Sequence, residues 1–160
     1  MMKEVTGDII LTESEAFAHG VAVDDDFKQG LCLELRERYP SMYKDFRHFC
    51  KTHSPKVGDV WAWKGADTPV IFNLFTQEAP PFEGAHPKRA NLSSVNHALK
   101  NLVKELNKEN IKSIALTKLA TGVGGLDWED VKKEIDRDLS HYEGKVSLYT
   151  LYKKGVKGEE

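Results

Sequence analysis

The sequence predicts an α/β fold in which helices cover a mixed sheet. Short runs of β-type residues alternate with amphipathic helical stretches through the second half of the chain, which is the pattern of a layered α/β domain. One run, residues 70–75, is nearly all apolar, as expected of a central strand buried on both faces. The length of 160 residues suits one domain. We expect that domain to cover residues 1–152, and the polar residues 153–160 to form a C-terminal tail that frays.

Seven short runs of residues are predicted to form strands. The pair Gly7-Asp8 has the composition of a turn between the first two runs, and residues 65–69 have it between the fourth and the fifth. In chain order the runs are residues 2–5, 9–11, 16–21, 60–63, 70–75, 111–116 and 146–152.

Four stretches carry apolar side chains at the spacing of a helix. Pro40 ends the first, Ser41 is expected to cap the second, and Asp127 is expected to cap the fourth. In chain order they are residues 31–39, 41–49, 91–110 and 127–139. Residues 76–90, ahead of the third helix, contain three prolines and form a long loop, a kind of segment that is often functional.

Composition and charge exclude several classes of function. Lys and Arg total 23 and Asp and Glu total 25, and the net charge of −2 argues against binding a nucleic acid strand through bulk charge. It still permits a small anion site built from backbone amides. The apolar stretches fall far short of the roughly 20 residues that span a membrane, and the charged side chains within residues 1–10 exclude a secretory signal there. We expect a cytoplasmic monomer with no membrane partner.

The two cysteines, Cys32 and Cys50, are too few for a disulfide framework and are expected to be buried or half-buried free thiols. Cys50 lies close in sequence to His48 and His53, but a zinc site needs a fourth ligand. The sequence therefore predicts no metal site, and it predicts no bound cofactor.

The strongest motif is a glycine-rich turn, Thr121-Gly122-Val123-Gly124-Gly125, between an apolar strand and a helix. Glycines allow positive φ angles and close approach of a ligand, and successive amides next to a helix N-terminus favour an anion such as a diphosphate. A tight connection that needs glycine for its geometry explains the same residues. The turn is not a Walker A loop, because no Gly-Lys-Ser/Thr follows, and the dinucleotide-binding fingerprint is absent.

Two further segments could contact a nucleotide-like ligand. The carboxylate of Asp8 could accept a hydrogen bond from the exocyclic amine of a purine, or it could bond to its own turn. His19 lies on a strand of small residues that leads to three aspartates, residues 24–26, and then to Gly30 near the start of a helix. His19 is either a structural histidine or an acid-base group, and the aspartates form either a solvated turn or a source of one carboxylate near a sugar.

Taken in this order, the segments resemble the macro domain family. The resemblance covers about residues 1–152 and rests on Gly7-Asp8-Ile9, Ala18-His19, Gly30, residues 71–77 and, most specifically, Gly124-Gly125-Leu126-Asp127-Trp128. It is closest to the branch that contains the terminal ADP-ribose protein glycohydrolase and the ADP-ribose 1″-phosphate phosphatase of yeast. The resemblance implies a three-layer α/β/α fold around a mixed, mostly parallel six-stranded sheet, with a cleft for ADP-ribose across the strand ends.

The resemblance also implies which residues bind ADP-ribose. Asp8 would hold the adenine amine, with Ile9 beside the ring, and the last strand would border the adenine. The glycine turn would wrap the diphosphate and the distal ribose, and the stretch His19 to Asp24 and the turn at Gly30 would form the other wall. The implied ligand-binding residues are Asp8, Ile9, His19, Gly30, Leu31, Thr76, Gln77, Thr121, Gly122, Val123, Gly124, Gly125, Leu126, Thr150 and Leu151.

Three departures from that branch bear on activity. Gln77 occupies the place of the lysine that attacks the distal ribose, and glutamine cannot form the covalent adduct that a lysine amine forms. The glycine turn has Gly124 or Gly125 where the branch has an aspartate, and the first loop keeps only Gly30 of a glycine pair. Lys88, in the long loop, is a candidate replacement for the lysine.

Two functions remain open at this point. The chain could hydrolyse an ADP-ribose derivative, either ADP-ribose 1″-phosphate or an ADP-ribosylated protein, by attack of water, with His19 and Asp24 as acid-base groups. It could instead be a reader that binds ADP-ribose and does no chemistry, which the missing lysine and aspartate favour. A weaker alternative is stacking of another nucleotide or an RNA end on Trp61, Trp63 or Phe82, which the net charge disfavours.

Overall fold

A computed structural model describes residues 2–160. Over those residues the chain forms six strands and four α-helices. In chain order they are β1 (Met2–Gly7), β2 (Ala16–Ala22), α1 (Gly30–Arg38), α2 (Pro40–His53), β3 (Val60–Trp63), β4 (Val70–Gln77), α3 (Leu92–Lys108), β5 (Ser113–Leu116), α4 (Trp128–Asp138) and β6 (Lys145–Tyr152). None of these helices is both long and apolar enough to cross a membrane.

The strands form one sheet in the order β1-β6-β5-β2-β4-β3. Neighbouring strands are parallel except β3 and β4, which pair antiparallel. This confirms the predicted mixed, mostly parallel six-stranded sheet. Because β1, β6, β5, β2 and β4 all run in the same direction, their C-terminal ends lie along one edge of the sheet, which we call the carboxyl edge.

Helices cover both faces of the sheet. Alternate residues of β2 point to opposite sides, so Ala16 and Ala18 join a core with α3 and α4, whereas Phe17 joins a core with α1 and α2. Phe72 and Phe75 of β4 are divided between the two cores in the same way. The predicted three-layer α/β/α arrangement is therefore confirmed.

Two local predictions are wrong, and one is confirmed. Residues 9–11 form a single 3₁₀ turn instead of a strand, because the carboxylate of Asp8 caps the turn by accepting from the Ile10 amide at 3.2 Å. Helix α2 begins at Pro40 without a Ser41 cap, and proline fits there because the first turn of a helix leaves its amides unpaired in any case. Asp127 caps α4 as predicted.

Residues 153–160, which we call the strap, pack against the ends of β1 and β6 instead of fraying. The Lys153 amide donates to the Gly7 carbonyl at 3.1 Å, and the Asp8 amide donates to the Val156 carbonyl at 2.7 Å. The strap is polar, but its backbone groups are matched to those of the strand ends. Such a match between distant segments is invisible in the composition of the tail.

Candidate functional site

A cleft of about 1360 Å³ lies at the carboxyl edge, over the ends of β2, β4 and β5. Its walls are the glycine turn, residues 79–87 of the long loop, the three aspartates at 24–26, and one side of α1 and α2. Clefts on the loops that follow parallel strands are where α/β folds bind ligands. The long loop and the glycine turn, both singled out in the sequence, therefore meet at one site.

The glycine turn has a fixed backbone geometry. Two internal hydrogen bonds of 3.0 Å close it, from the Gly125 amide to the Gly122 carbonyl and from the Leu126 amide to the Ala120 carbonyl. A Cβ atom on Gly124 would lie only 2.5 Å from the Ala120 carbonyl oxygen. Position 124 therefore requires glycine.

Three residues of this turn, Gly122, Val123 and Gly124, line the cleft. Their amides donate no hydrogen bond within the described part of the chain. The N-terminus of α4 is different, because Asp127 caps it by accepting from the Asp130 amide at 3.3 Å. The three turn amides are thus without an internal acceptor, whereas the cap occupies the Asp130 amide at the helix terminus. The lining does not include the other turn residues of the implied set, Thr121, Gly125 and Leu126.

His19 is buried at the base of the cleft. Its Nε2 lies 2.7 Å from Asn73 Oδ1, and because an amide oxygen only accepts, Nε2 carries the proton. The Asn73 amide nitrogen donates to the Trp61 carbonyl at 3.4 Å, which fixes the orientation of the amide. Burial lowers the pKa of His19 to about 4, partly opposed by the bond to Asn73, so the ring is neutral at pH 7.

The Nδ1 of His19 remains as an acceptor, 3.8 Å from the sulfur of Cys32. Burial, with the nearby Asp25 and Asp26 adding to it, raises the pKa of the Cys32 thiol. The pair is therefore a neutral thiol beside a neutral imidazole, which is not the thiolate-imidazolium pair of a cysteine nucleophile. Cys32 is half-buried and Cys50 is buried, and both are free thiols, as predicted.

The three aspartates at the cleft differ in their environment. The carboxylate of Asp25 accepts from the amides of Ala22 at 3.0 Å and Phe27 at 2.9 Å, and burial raises its pKa, so it holds the turn together. Asp24 has a left-handed backbone with φ of 56° and is exposed on the cleft wall. The carbonyl of Asp24 accepts from Arg47 at 2.6 Å. Asp24 is therefore more open to solvent than Asp25, and the carboxylate of Asp26 lies 3.8 Å from the Lys28 ammonium.

Gln77, at the lysine position of the resembled branch, holds the backbone of the long loop. Its side-chain nitrogen donates to the Lys88 carbonyl at 2.8 Å. The next part of the loop is tied to the glycine turn, because the Ala90 amide donates to the Gly124 carbonyl at 2.9 Å. The C-terminal end of the long loop is therefore fastened to β4 and to the turn that faces the cleft.

Lys88 does not supply an amine to the cleft. Its ammonium lies 3.5 Å from the Glu78 carboxylate, both side chains are exposed, and Lys88 is not among the lining residues. The structure therefore places the backbone oxygen of Lys88, and not its ammonium, next to Gln77.

Thr76, which precedes Gln77, presents an unused hydroxyl. The side chain is 2% exposed, lines the cleft, and its Oγ1 has no hydrogen-bond partner in the described residues. A Cβ atom on Gly20 would lie 3.0 Å from this oxygen, so the glycine leaves room beside it. A buried hydroxyl without a partner is costly, which makes Thr76 a natural contact for a bound hydroxyl or water.

The residues implied to bind adenine lie outside the cleft. These residues are Asp8, Ile9, Thr150 and Leu151. The Asp8 carboxylate accepts from the Ile10 amide on one oxygen and from the Gly155 amide, at 3.1 Å, on the other. At the other wall Leu31 lines the cleft, whereas Gly30 begins α1 with φ of 55° and does not.

Several residues of the cleft were not predicted to contact a ligand. They are Cys32, Arg36, Tyr43, Arg47, Lys51 and Lys118. Lys118 could have been found, because it comes two residues after the end of β5, where ligand-binding loops begin. Arg36 donates to the Asp26 carbonyl at 3.1 Å and Arg47 approaches from α2 across space, so no sequence spacing reveals them.

The aromatic residues of the stacking hypothesis separate into two groups. Trp61 and Trp63 pack against the core shared with α1 and α2, where Trp61 stacks on Phe49 with ring centroids 5.4 Å apart. Phe82 is 71% exposed and lines the cleft. Only Phe82 is therefore placed to contact a ligand.

Comparison with known proteins decides the family. The model of the macro domain family matches residues 15–135. This chain belongs to the macro domain family. The macro domain resemblance is thus confirmed at the level of the family.

Relatives of this macro domain include DNA ADP-ribosyl glycohydrolases. It is 29% identical over 147 residues to a DNA ADP-ribosyl glycohydrolase of Thermus aquaticus, and the match covers 90% of this chain and 39% of the relative. A DNA ADP-ribosyl glycohydrolase of Mycobacterium tuberculosis is 28% identical over 136 residues, and the match covers 81% of this chain and 36% of the relative. The chain thus spans about two fifths of the length of the curated relatives that it matches.

Solved structures agree on the fold. The macrodomain of Mycobacterium tuberculosis DarG superposes with a TM-score of 0.84 at 24% identity, covering 93% of this chain and 97% of that one. Thermosipho africanus DarTG in complex with ADP-ribose superposes with a TM-score of 0.83 at 21% identity. The superposition covers 96% of this chain and 42% of that one.

Proposed function

We propose that the cleft binds ADP-ribose. The observation that carries the proposal is that residues 122–124 line the cleft and that their amides make no internal hydrogen bond in the described chain. A diphosphate supplies the oxygen acceptors that such a turn needs, and hydrogen bonds to a charged acceptor are the strong ones. The named activity of the relatives and the ADP-ribose complex of a similar structure support the same ligand.

The open part of the cleft has room for the distal ribose. With the diphosphate on the glycine turn after β5, the open part of the cleft extends over β2 and β4. A ribose there lies near Thr76, whose hydroxyl lacks a partner, and near His19, whose Nδ1 can only accept and has the Cys32 sulfur at 3.8 Å. Ribose hydroxyls both donate and accept, so they satisfy both groups.

A second step, hydrolysis at the distal ribose, is favoured by the exposed carboxylate of Asp24 on the cleft wall. Asp24 takes a proton from water as the water oxygen bonds to the anomeric carbon, and the bond to the phosphate, carboxylate or base breaks with its electron pair leaving on that group. His19 accepts a ribose hydroxyl proton in a hydrogen bond and orients the sugar, because its only N–H is held by Asn73. Candidate substrates are ADP-ribose 1″-phosphate, ADP-ribosylated protein and, by likeness to the relatives, ADP-ribosylated DNA.

The alternative, a reader that binds without turnover, is favoured by Gln77. Its amide is occupied by the Lys88 carbonyl, so the position that carries a nucleophilic lysine in the resembled branch holds a loop instead. Binding measurements alone do not distinguish the two functions, and both begin with the same complex.

Calorimetry tests binding, and a pair of aspartate variants tests turnover. No heat with ADP-ribose at millimolar concentration would refute the binding proposal. The chain is then incubated with each of the three substrates, and release of phosphate or ADP-ribose is measured. Asp24→Asn should lower the rate by about 100-fold or more, the usual contribution of a general base, while leaving the ADP-ribose Kd within about threefold.

Asp67→Asn is the matched control for that variant. Asp67 is also exposed and also left-handed, with φ of 54°, but it lies in the turn between β3 and β4 and does not line the cleft. Its replacement should leave the rate unchanged. If the unaltered protein binds ADP-ribose and releases no product from any substrate, the reader function replaces the hydrolase.

A further inference from the structure

The carboxyl edge of the sheet is open over some strands and covered over others. The cleft lies over the ends of β2, β4 and β5, whereas the strap, residues 153–160, lies over the ends of β1 and β6. In the strand order β1-β6-β5-β2-β4, the glycine turn after β5 therefore sits at the boundary between the two parts.

The near end of the strap uses the polar groups of the β1 terminus. The Asp8 amide donates to the Val156 carbonyl at 2.7 Å, and the Gly155 amide donates to the Asp8 carboxylate at 3.1 Å. A Cβ atom on Gly7 would lie 2.8 Å from the Val156 carbonyl oxygen, so the backbones approach closely because this residue is glycine. Each oxygen of the Asp8 carboxylate thus accepts one backbone amide, from the strap or from its own turn, and Asp8 is buried.

Two charged side chains hold the far end of the strap, because Lys157 forms an ion pair with Glu13 and Glu160 bonds to three hydroxyls. Glu160 accepts from the Tyr149 hydroxyl at 2.6 Å and the Ser14 hydroxyl at 3.0 Å, and it also accepts from the Thr12 hydroxyl. Glu159, its neighbour, is exposed and makes no hydrogen bond or ion pair among the described residues. Glu160 therefore fastens the strap, and Glu159 does not.

The strap itself buries little. Residues 153–157 are exposed, and Val156, the one large apolar side chain of the segment, is 44% exposed. A segment held by a few polar contacts, with little apolar surface behind it, opens at a small fraction of the cost of global unfolding. The strap is thus ordered and also easy to displace.

We propose that the strap and the nucleotide compete for the β1–β6 end of the carboxyl edge, so that ADP-ribose binds fully only when the strap leaves. This proposal rests on the proposed function. A ligand with its diphosphate on the turn after β5 and a group on either side must extend along the edge in both directions. One direction leads into the open cleft, and the other leads under the strap to Asp8, whose freed carboxylate accepts from the exocyclic amine of a base.

Competition with a closed state raises the apparent Kd by the reciprocal of the open fraction. Opening the strap should therefore tighten binding. Isothermal calorimetry with ADP-ribose compares the unaltered chain with Glu160→Gln, with a chain that ends at Tyr152, and with Glu159→Gln as the matched control. We expect the Glu160→Gln and shortened chains to bind about fivefold or more tightly than the unaltered chain. The Glu159→Gln chain should bind as the unaltered chain does.

Amide hydrogen exchange supplies a readout that does not depend on affinity. In the closed state the amides of Lys153 and Gly155 are bonded to Gly7 and Asp8. Saturating ADP-ribose should speed their exchange, which is opposite to the usual protection by a ligand. Equal or weaker binding by the Glu160→Gln and shortened chains, or slower exchange at these amides, would overturn the strap proposal. Failure of every chain to bind would overturn the proposed function and, with it, the competition.

Discussion

Replacement of Gly124 by alanine tests the anion site at its most constrained position. The new Cβ atom would lie 2.5 Å from the Ala120 carbonyl oxygen and 2.9 Å from that residue's carbonyl carbon and Cα. Real Cβ contacts of this kind are not shorter than 3.0 Å, and the obstacle is backbone that cannot swing aside as a flexible side chain does. The turn must open by at least half an ångström, which moves the amides of residues 122–124 away from a common acceptor.

The size of the effect follows from those amides. A hydrogen bond to a charged acceptor contributes about 1.5–3 kcal/mol, so losing two of them costs about 3–6 kcal/mol. That cost weakens the ADP-ribose Kd by about 100-fold to 20,000-fold. Calorimetry with ADP-ribose measures the change, and circular dichroism with urea unfolding verifies that the variant is folded.

Gly122→Ala is the control for this variant. A Cβ atom on Gly122 has no atom within 4 Å, so the turn keeps its shape and only a methyl group is added to the cleft. We expect its Kd to stay within about tenfold of the unaltered value, because no amide–anion hydrogen bond is lost. A folded Gly124→Ala chain that binds ADP-ribose as tightly as the Gly122→Ala chain would refute the assignment of the diphosphate to this turn.

Two further predictions concern stability. Burial lowers the pKa of His19 to about 4, so between pH 6.5 and 4 the unfolded chain takes up a proton that the folded chain does not. Stability should therefore fall by up to about 3 kcal/mol as the pH drops through that window. Urea titrations of His19→Gln should lack this part of the fall, and an identical pH profile would contradict the neutral, buried ring. Asp127→Ala should cost about 1 kcal/mol in urea unfolding because the cap of α4 is lost, while Asp127→Asn, which keeps an accepting oxygen, should cost less.

Local patterns account for the part of the fold that the sequence predicted. The apolar run at residues 70–75 became the buried β4, and Asp127 became the cap of α4. Each of these features depends on neighbours within a few positions, so composition and spacing reveal it. The same holds for the glycine turn, whose two internal backbone bonds join residues at most six positions apart.

The remaining features depend on contacts between distant positions. Asp8 meets Gly155 across 147 positions, and Arg47 meets Asp24 across 23. A carboxylate after a strand looks equally available whether or not another segment folds over it. The sequence therefore suggested Asp8 as a ligand-binding residue but carried no sign that the strap occupies it.

Gln77 connects the long loop to the chemistry of the cleft. Its amide nitrogen donates to the Lys88 carbonyl at 2.8 Å and so ties the end of the loop to β4. A lysine that attacks a ribose must be neutral and must keep its lone pair free, which an ammonium bonded to a backbone carbonyl does not. The side chain that fastens this loop therefore cannot also be the nucleophile. Gln77 therefore fastens the loop and at the same time supplies no amine to the cleft. In the proposed reaction the attacking group is consequently water, activated by the exposed Asp24.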